Sequence, residues 1–406
     1  MRGAIFILLL TAVTAFQLQG TRGSARLRMM AESDSSLPST DRSGFYSNLG
    51  KVAKGASVAA TLSGVAALTG AGPASAKEGK RWTKVDVPLR ETLFDISFDK
   101  NKPEHGWIVG AKGTFLETFD GGLSWKPRTF NSLDEDEDIS YRFEVTSLNQ
   151  DEGWIVGKPV IMLHTRDGGK QFERIPMSPK LPGEPVSIKA TSPSNAEMIT
   201  SQGAIYTTEN GGLNWKAMVK ETIDATLNRV SSSGTSGASF FSGKIINQVR
   251  DVNGNYLAIA SRGNLFLTWA PGQDYWIPHN RGSSRRIQNM GFIGNDAKNG
   301  LWMTLNGGAL LTTGPNPDLS QVDIESLFQP AKINSGGYGI IDVCWKNDNE
   351  VYAVGGSGVI FESKDGGKSF KFMPDAKDIP GNLYRVKFFG DNGWALGSDG
   401  VLLKYA

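Results

Sequence analysis

Arginine is where the chemistry of this sequence concentrates. Arg281, Arg285 and Arg286 fall within six residues at the end of the stretch Tyr275-Trp276-Ile277-Pro278-His279-Asn280-Arg281-Gly282-Ser283-Ser284-Arg285-Arg286. Arg262 lies in the strand before it, and Arg229 further upstream. Guanidinium forks bind carboxylates and phosphates in a bidentate way, and arginine interleaved with aromatic residues is a common make-up of recognition surfaces. The stretch is expected to read an anion or a carboxylate; the alternative is a solvated basic loop that pairs internally. Asp134-Glu135-Asp136-Glu137-Asp138, followed by Tyr141-Arg142-Phe143, reads first as a solvated acidic loop. His105 and His279 read as loop histidines without a partner, and with His164 they follow no metal-ligand spacing. Cys344 is the one cysteine, so an intramolecular disulfide and a multi-cysteine zinc site are both excluded. Gly355-Gly356-Ser357-Gly358 joins two strands with no helix after it, which is not a phosphate loop. No metal or cofactor is expected.

The elements that must carry these residues repeat. A Gly-Trp or apolar strand, a small turn, a second apolar strand and a Gly-rich hairpin closed by an aromatic recur down the chain. The clearest copy runs from Gly106-Trp107-Ile108-Val109-Gly110 to Asp120-Gly121-Gly122-Leu123-Ser124-Trp125. Others end in Asp167, Gly169 and Phe172, in Asn210, Gly212 and Trp215, and in Asp365, Gly367 and Phe370. A degraded fourth copy ends at Tyr275-Trp276, a fifth near Leu301–Thr312 lacks the hairpin, and a seventh stops at the chain end. Seven copies in the last 330 residues give about 47 each, the size of a four-stranded propeller blade. The hairpins match the Asp-box. Its carboxylate accepts N–H bonds inside the turn, its glycine takes a backbone angle other residues resist, and its aromatic plugs the gap between sheets. No long helical period interrupts the repeats. The expected fold is all-β, a seven-bladed propeller over residues 77–406. Arg81-Trp82-Thr83-Lys84-Val85-Asp86 supplies the outer strand that the last repeat lacks, which closes the ring and hides its sheet edges.

The charge is unevenly spread. Residues 1–76 carry seven Lys+Arg and three Asp+Glu, and the remaining 330 carry 36 and 38. A positive leader on a near-neutral body points to a targeted protein and away from nucleic acid. Three addresses follow one another: a signal peptide over 1–15, a transit segment over 16–50, and a second signal-like unit over 51–76 that ends Ala74-Ser75-Ala76. Such a series suits passage through an outer compartment and a plastid envelope into a thylakoid lumen, and the Ala15-Phe16 junction resembles the leaders of algae with secondary plastids. The second unit has no twin arginine, so its route across the last membrane is open.

Asp-boxes also occur in sialidases. Arg174-Ile175-Pro176 carries the letters of the sialidase signature, but it follows a box in the second blade as an outer strand. No acid–base pair stands out at channel-facing positions, and the chain reads as no enzyme. A carbohydrate-binding propeller or a stable lumenal subunit remains the alternative. A sugar site would call for stacked aromatics around one pocket, whereas this sequence concentrates arginine.

Several longer strings are more specific than the boxes: Ser261-Arg262-Gly263-Asn264, Arg285-Arg286-Ile287-Gln288-Asn289-Met290-Gly291, Gly337-Tyr338-Gly339-Ile340-Ile341-Asp342-Val343 and Asn382-Leu383-Tyr384-Arg385-Val386-Lys387-Phe388. With the seven repeats and the leader, they resemble the photosystem II stability and assembly factors of plants, algae and cyanobacteria over nearly all of residues 80–406. The resemblance implies a lumenal propeller without catalytic role. It implies binding of the newly inserted reaction-centre core subunit, whose lumenal C-terminus still carries its extension, and help in joining that subunit to its partner and to cytochrome b. The family's arginine patch would fall on Arg229, Arg262, Arg281, Arg285 and Arg286. The Ser232–Gly243 loop, the box-less fifth blade and the missing paired arginines of the leader depart from the family pattern.

Overall fold

The computed structural model describes residues 81–405, apart from 135–136, 138–139, 232–242 and 375–377 and the side chains of 145 and 229–231. The three leader segments at 1–15, 16–50 and 51–76 lie outside the described residues. Seven antiparallel four-stranded sheets follow one another, beginning at Leu93, Arg142, Pro185, Ile245, Ile287, Ile340 and Leu383. The first strand of a blade packs against the first strands of neighbouring blades, so it is the innermost and faces the axis. The last blade is completed from the other end of the chain. Trp82–Val85 pairs antiparallel with Leu402–Tyr405, Trp82 opposite Tyr405 and Val85 opposite Leu402. The ring closes as the sequence predicts.

The core is divided among the seven seams between blades, because each sheet is apolar on both faces. Trp107 and Phe172 meet between blades 1 and 2, and Trp154 and Ile175 between blades 2 and 3. Trp394 and Trp125 meet between blades 7 and 1. Every box aromatic sits in or against a seam: Trp125, Phe172 and Phe370 are buried, and Trp215 packs half-buried. The box glycine lets the indole below it approach. A Cβ on Gly122, where φ is +79°, would stand 2.3 Å from the ring of Trp394 in the preceding blade.

The Asp or Asn side chain of each box holds its own turn. Thr118 Oγ1 donates to Asp120 Oδ1 at 2.7 Å, and the Ser124 amide donates to the same oxygen at 2.9 Å. Asp167 and Asp365 repeat the pattern, and Asn210 supplies the same carbonyl geometry without a charge. The Ser124 hydroxyl and amide, outweighing burial, hold Asp120 at about 2, and Ser369 does the same for Asp365.

A nine-residue helix, Ile223–Ser231, lies in the connector from blade 3 to blade 4, where the repeat pattern predicts none. Thr222 starts it by accepting at its carbonyl from the Thr226 amide at 2.9 Å. Ile223 and Leu227, four apart, face the seam between blades 3 and 4. No helix among the described residues is long and apolar enough to cross a membrane.

Candidate functional site

Antiparallel order fixes which loops share a face. The turns between second and third strands and the connectors between blades lie on one side of the ring; the Asp-boxes, between third and fourth strands, lie on the other. Arg262 is in a turn of the first kind in blade 4. Arg281, Arg285 and Arg286 are in the connector from blade 4 to blade 5, and Arg229 belongs to the helix in the connector before blade 4. All five therefore arise on the connector face, although the side chain of Arg229 is outside the described residues.

Local backbone brings four of them together. Ala260 pairs with Leu265 across a tight four-residue turn in which Ser261, Arg262 and Gly263 all have positive φ, +51°, +56° and +82°, and Arg262 is exposed on it. Gly263 docks that turn on the next blade: a Cβ there would lie 2.2 Å from the carbonyl oxygen of Ile287, the residue after Arg286. Arg281 is the strut of the arrangement. Its Nε donates to the Ser283 carbonyl at 2.6 Å and its guanidinium reaches the Asn264 side chain. The Asn306 amide donates to the Arg286 carbonyl at 3.0 Å, which fixes the connector to the adjoining turn of blade 5. Arg285 lies over Gly307.

Arg262, Arg285 and Arg286 are exposed, and among the described residues no carboxylate pairs with any of them. They are three open guanidinium forks on one wall, positioned by a fourth arginine that spends its donors internally. Guanidinium groups so placed can take carboxylates or other oxyanions through charge-assisted bonds, worth about 1.5–3 kcal/mol each when water is displaced.

Of the acidic run, 135, 136 and 138 lie outside the described residues; Asp134 and Glu137 are in the connector from blade 1 to blade 2, on the same face. Glu137 is structural, accepting from Tyr141 Oη at 2.9 Å and from Arg174 at 2.9 Å. Arg174 itself begins no sialidase-type site; Glu173–Arg174 is the outer strand of blade 2. Neither of the two histidines read as unpartnered loop residues lacks a partner; His105 does lie in the turn before Gly106–Gly110, whereas His279 lies in a strand. His105 is buried, with Nε2 2.8 Å from Glu117 Oε1, an oxygen that also accepts from the Trp107 indole at 3.1 Å. His279 is buried in the outer strand of blade 4, 2.8 Å from Thr268 Oγ1, and burial pushes it down to about 4. Sequence patterning places neither, because their partners lie on adjacent strands 11 and 12 residues away.

Channel carboxylates that sequence reading missed are latches between blades. Asp95 accepts from the Thr146 amide of blade 2 at 3.2 Å and from Lys387 Nζ of blade 7 at 2.6 Å. Asp342 accepts from the Val386 amide at 3.0 Å and from Asn289 at 3.1 Å. Both are buried and fully engaged in holding neighbouring inner strands together. No group of three metal-binding side chains occurs among the described residues.

The family model described as Photosynthesis system II assembly factor YCF48 matches residues 74–406. The chain belongs to this family. It is 53% identical over 340 residues to the photosystem II stability/assembly factor HCF136, chloroplastic, of Cyanidioschyzon merolae, covering 84% of this chain and 78% of that protein. Among solved structures it resembles YCF48 from Cyanidioschyzon merolae, with a TM-score of 0.75 and 49% identity over 80% of this chain and 98% of that one. It also resembles a structure described as YCF48 bound to D1 peptide, with a TM-score of 0.68 and 40% identity over 81% and 96% of the two chains. The resemblance read from the longer strings and the expected seven-bladed ring both hold.

Proposed function

We propose that this protein is a photosystem II assembly factor that captures the reaction-centre subunit D1 through its arginine face. The observation that carries this reading is the exposed set Arg262, Arg285 and Arg286 on one wall of a rigid ring, without carboxylate partners among the described residues. A relative described as bound to a D1 peptide supports the choice of partner. In this reading the wall engages carboxylates on the lumenal C-terminal tail of newly inserted D1. It holds the subunit until its partner subunit and cytochrome b join, and then releases it. The protein acts as a non-catalytic monomeric adaptor in the thylakoid lumen of a secondary plastid. Residues 1–15, 16–50 and 51–76 serve as successive addresses, and the propeller of 77–406 is the mature protein. The chloroplastic naming of the relatives supports the compartment at the level of the plastid.

Affinity purification from thylakoids tests this function. Tagged protein is expected to bring down early reaction-centre intermediates containing D1 and cytochrome b. Recovery of finished photosystems, or of no D1 at all, would refute it.

A further inference from the structure

The arginine wall has apolar neighbours. Two exposed large apolar side chains stand beside the turns that carry it, Ile246 at 51% exposure and Tyr338 at 47%. Ile246 lies at the start of the inner strand of blade 4. Ile245 pairs with Ala260 and Asn247 with Ile259, so Ile246 is a bulged residue without a partner on the next strand. Bulges of this kind re-aim a side chain out of the alternation of its strand. Ala260 leads directly into the turn of Arg262, and that turn packs against this same strand.

Tyr338 stands further round the ring, in the connector from blade 5 to blade 6. The glycine pair in the turn of blade 5 joins it to the arginines. A Cβ on Gly307 would lie 3.4 Å from the Arg285 guanidinium, and a Cβ on Gly308 would overlap the Tyr338 carbonyl oxygen. The loop is braced within itself and to blade 6. The Gly336 amide donates to Asn334 Oδ1 at 3.2 Å, and the Tyr338 amide to the Ser335 carbonyl at 3.1 Å. The Gly356 amide of blade 6 donates to the Gly339 carbonyl at 3.0 Å. The phenol ring folds back over Gly336, where a Cβ would stand 3.8 Å from its Cδ2. An aromatic side chain presented on a braced loop loses little freedom when a partner covers it.

We propose that Ile246 and Tyr338 are the apolar half of the peptide site, so that the wall reads carboxylates with large apolar side chains next to them in one segment. This inference rests on the proposed capture of the D1 tail and adds what the tail must carry. Exposed ion pairs alone contribute little in water. An apolar side chain seated on Tyr338 or Ile246 excludes water from the neighbouring guanidinium–carboxylate pairs and strengthens them. A membrane surface would call for apolar groups that protrude together, whereas these two stand on successive parts of the ring with the arginines between them.

Titration with a synthetic D1 C-terminal tail peptide, and with the same peptide carrying serine in place of its large apolar residues, tests the site. Tyr338→Ala is expected to weaken the first peptide at least about tenfold, the scale of one lost anchor, and Ile246→Ser to weaken it in the same direction. Both variants should keep the salt dependence of binding, and Y338F should bind as the unaltered protein does. The serine peptide should bind weakly to the unaltered protein and lose little more in Y338A, because the contact is already gone. Full affinity in Y338A and I246S, with binding lost in R262A/R285A/R286A, would overturn this inference and leave the capture standing. No binding by the unaltered protein would overturn both. Equal losses for the two peptides, or a lost salt dependence in Y338A, would make Tyr338 a prop for Arg285 and overturn its role as a contact. Tyr338-dependent binding to anionic lipid vesicles that the tail peptide does not displace would overturn the choice of a peptide.

Discussion

Replacing Trp82 by alanine removes the plug of the seam between blades 6 and 7. Trp82 is 3% exposed and meets Tyr352, Phe388 and Tyr405 edge-on at centroid distances of 5.6, 6.0 and 5.4 Å. Its indole nitrogen has no hydrogen-bond partner among the described residues, so the loss is one of packing and cavity. A buried tryptophan cut to alanine costs about 3–5 kcal/mol. A ring of this size has an unfolding entropy of about 0.7 kcal/mol/K, so the midpoint should fall by about 6 °C. Deleting residues 81–87 should cost more. It also strips Glu362, which is 9% exposed at its side chain, of the bidentate Arg81 contact, adding about 2 kcal/mol. Thermal unfolding followed by circular dichroism measures both, and a closed ring predicts a single transition displaced downward. A midpoint within about 1 °C of the unaltered protein, or a separate early transition of one-blade amplitude, would refute the closure energetics.

Three further outcomes follow from the same structure. Asp365 is held at about 2, below its unfolded value of about 3.9, so its stabilisation is complete above that value and is lost as pH falls through 2. D365N should therefore lose less stability than the unaltered protein between pH 4 and pH 2 in acid titrations, while keeping the turn as Asn210 does. Gly122→Ala should cost about 3 kcal/mol in denaturant melts, because its Cβ meets Trp394 at a φ of +79°. N-terminal sequencing of the mature protein should begin near Lys77, and a mature chain that keeps residues 56–71 would contradict the address reading.

What the sequence revealed was set by the distance over which the controlling contacts act. The Asp-box was legible because Thr118, Asp120, Gly122 and Ser124 satisfy one another within seven residues. The closing strand was legible because the last repeat ends without its outer member and Trp82 stands where one is missing. The arginine wall was legible as a cluster, but the division of labour within it was not. Arg281 differs from Arg285 through the Ser283 carbonyl and through Asn264, the latter 17 residues away and brought near by the turn at Gly263. The channel latches were invisible for the same reason, since Asp95 and Lys387 meet across 292 residues. The helix at Ile223–Ser231 did leave a signal, a threonine cap before Ile223 and Leu227 at a spacing of four, but it is too short to show a sustained period.

The measurement that bears most directly on the proposed function is the affinity of a synthetic D1 C-terminal tail peptide for the unaltered protein and for R262A/R285A/R286A, at two ionic strengths. These three guanidinium groups are exposed and unpaired among the described residues, so the variant should melt within about 2 °C of the unaltered protein. Its affinity for the peptide should fall at least about a hundredfold, two charge-assisted contacts' worth, and should lose most of its salt dependence. Full affinity in the variant, or binding that ignores both the substitutions and the salt, would contradict the account.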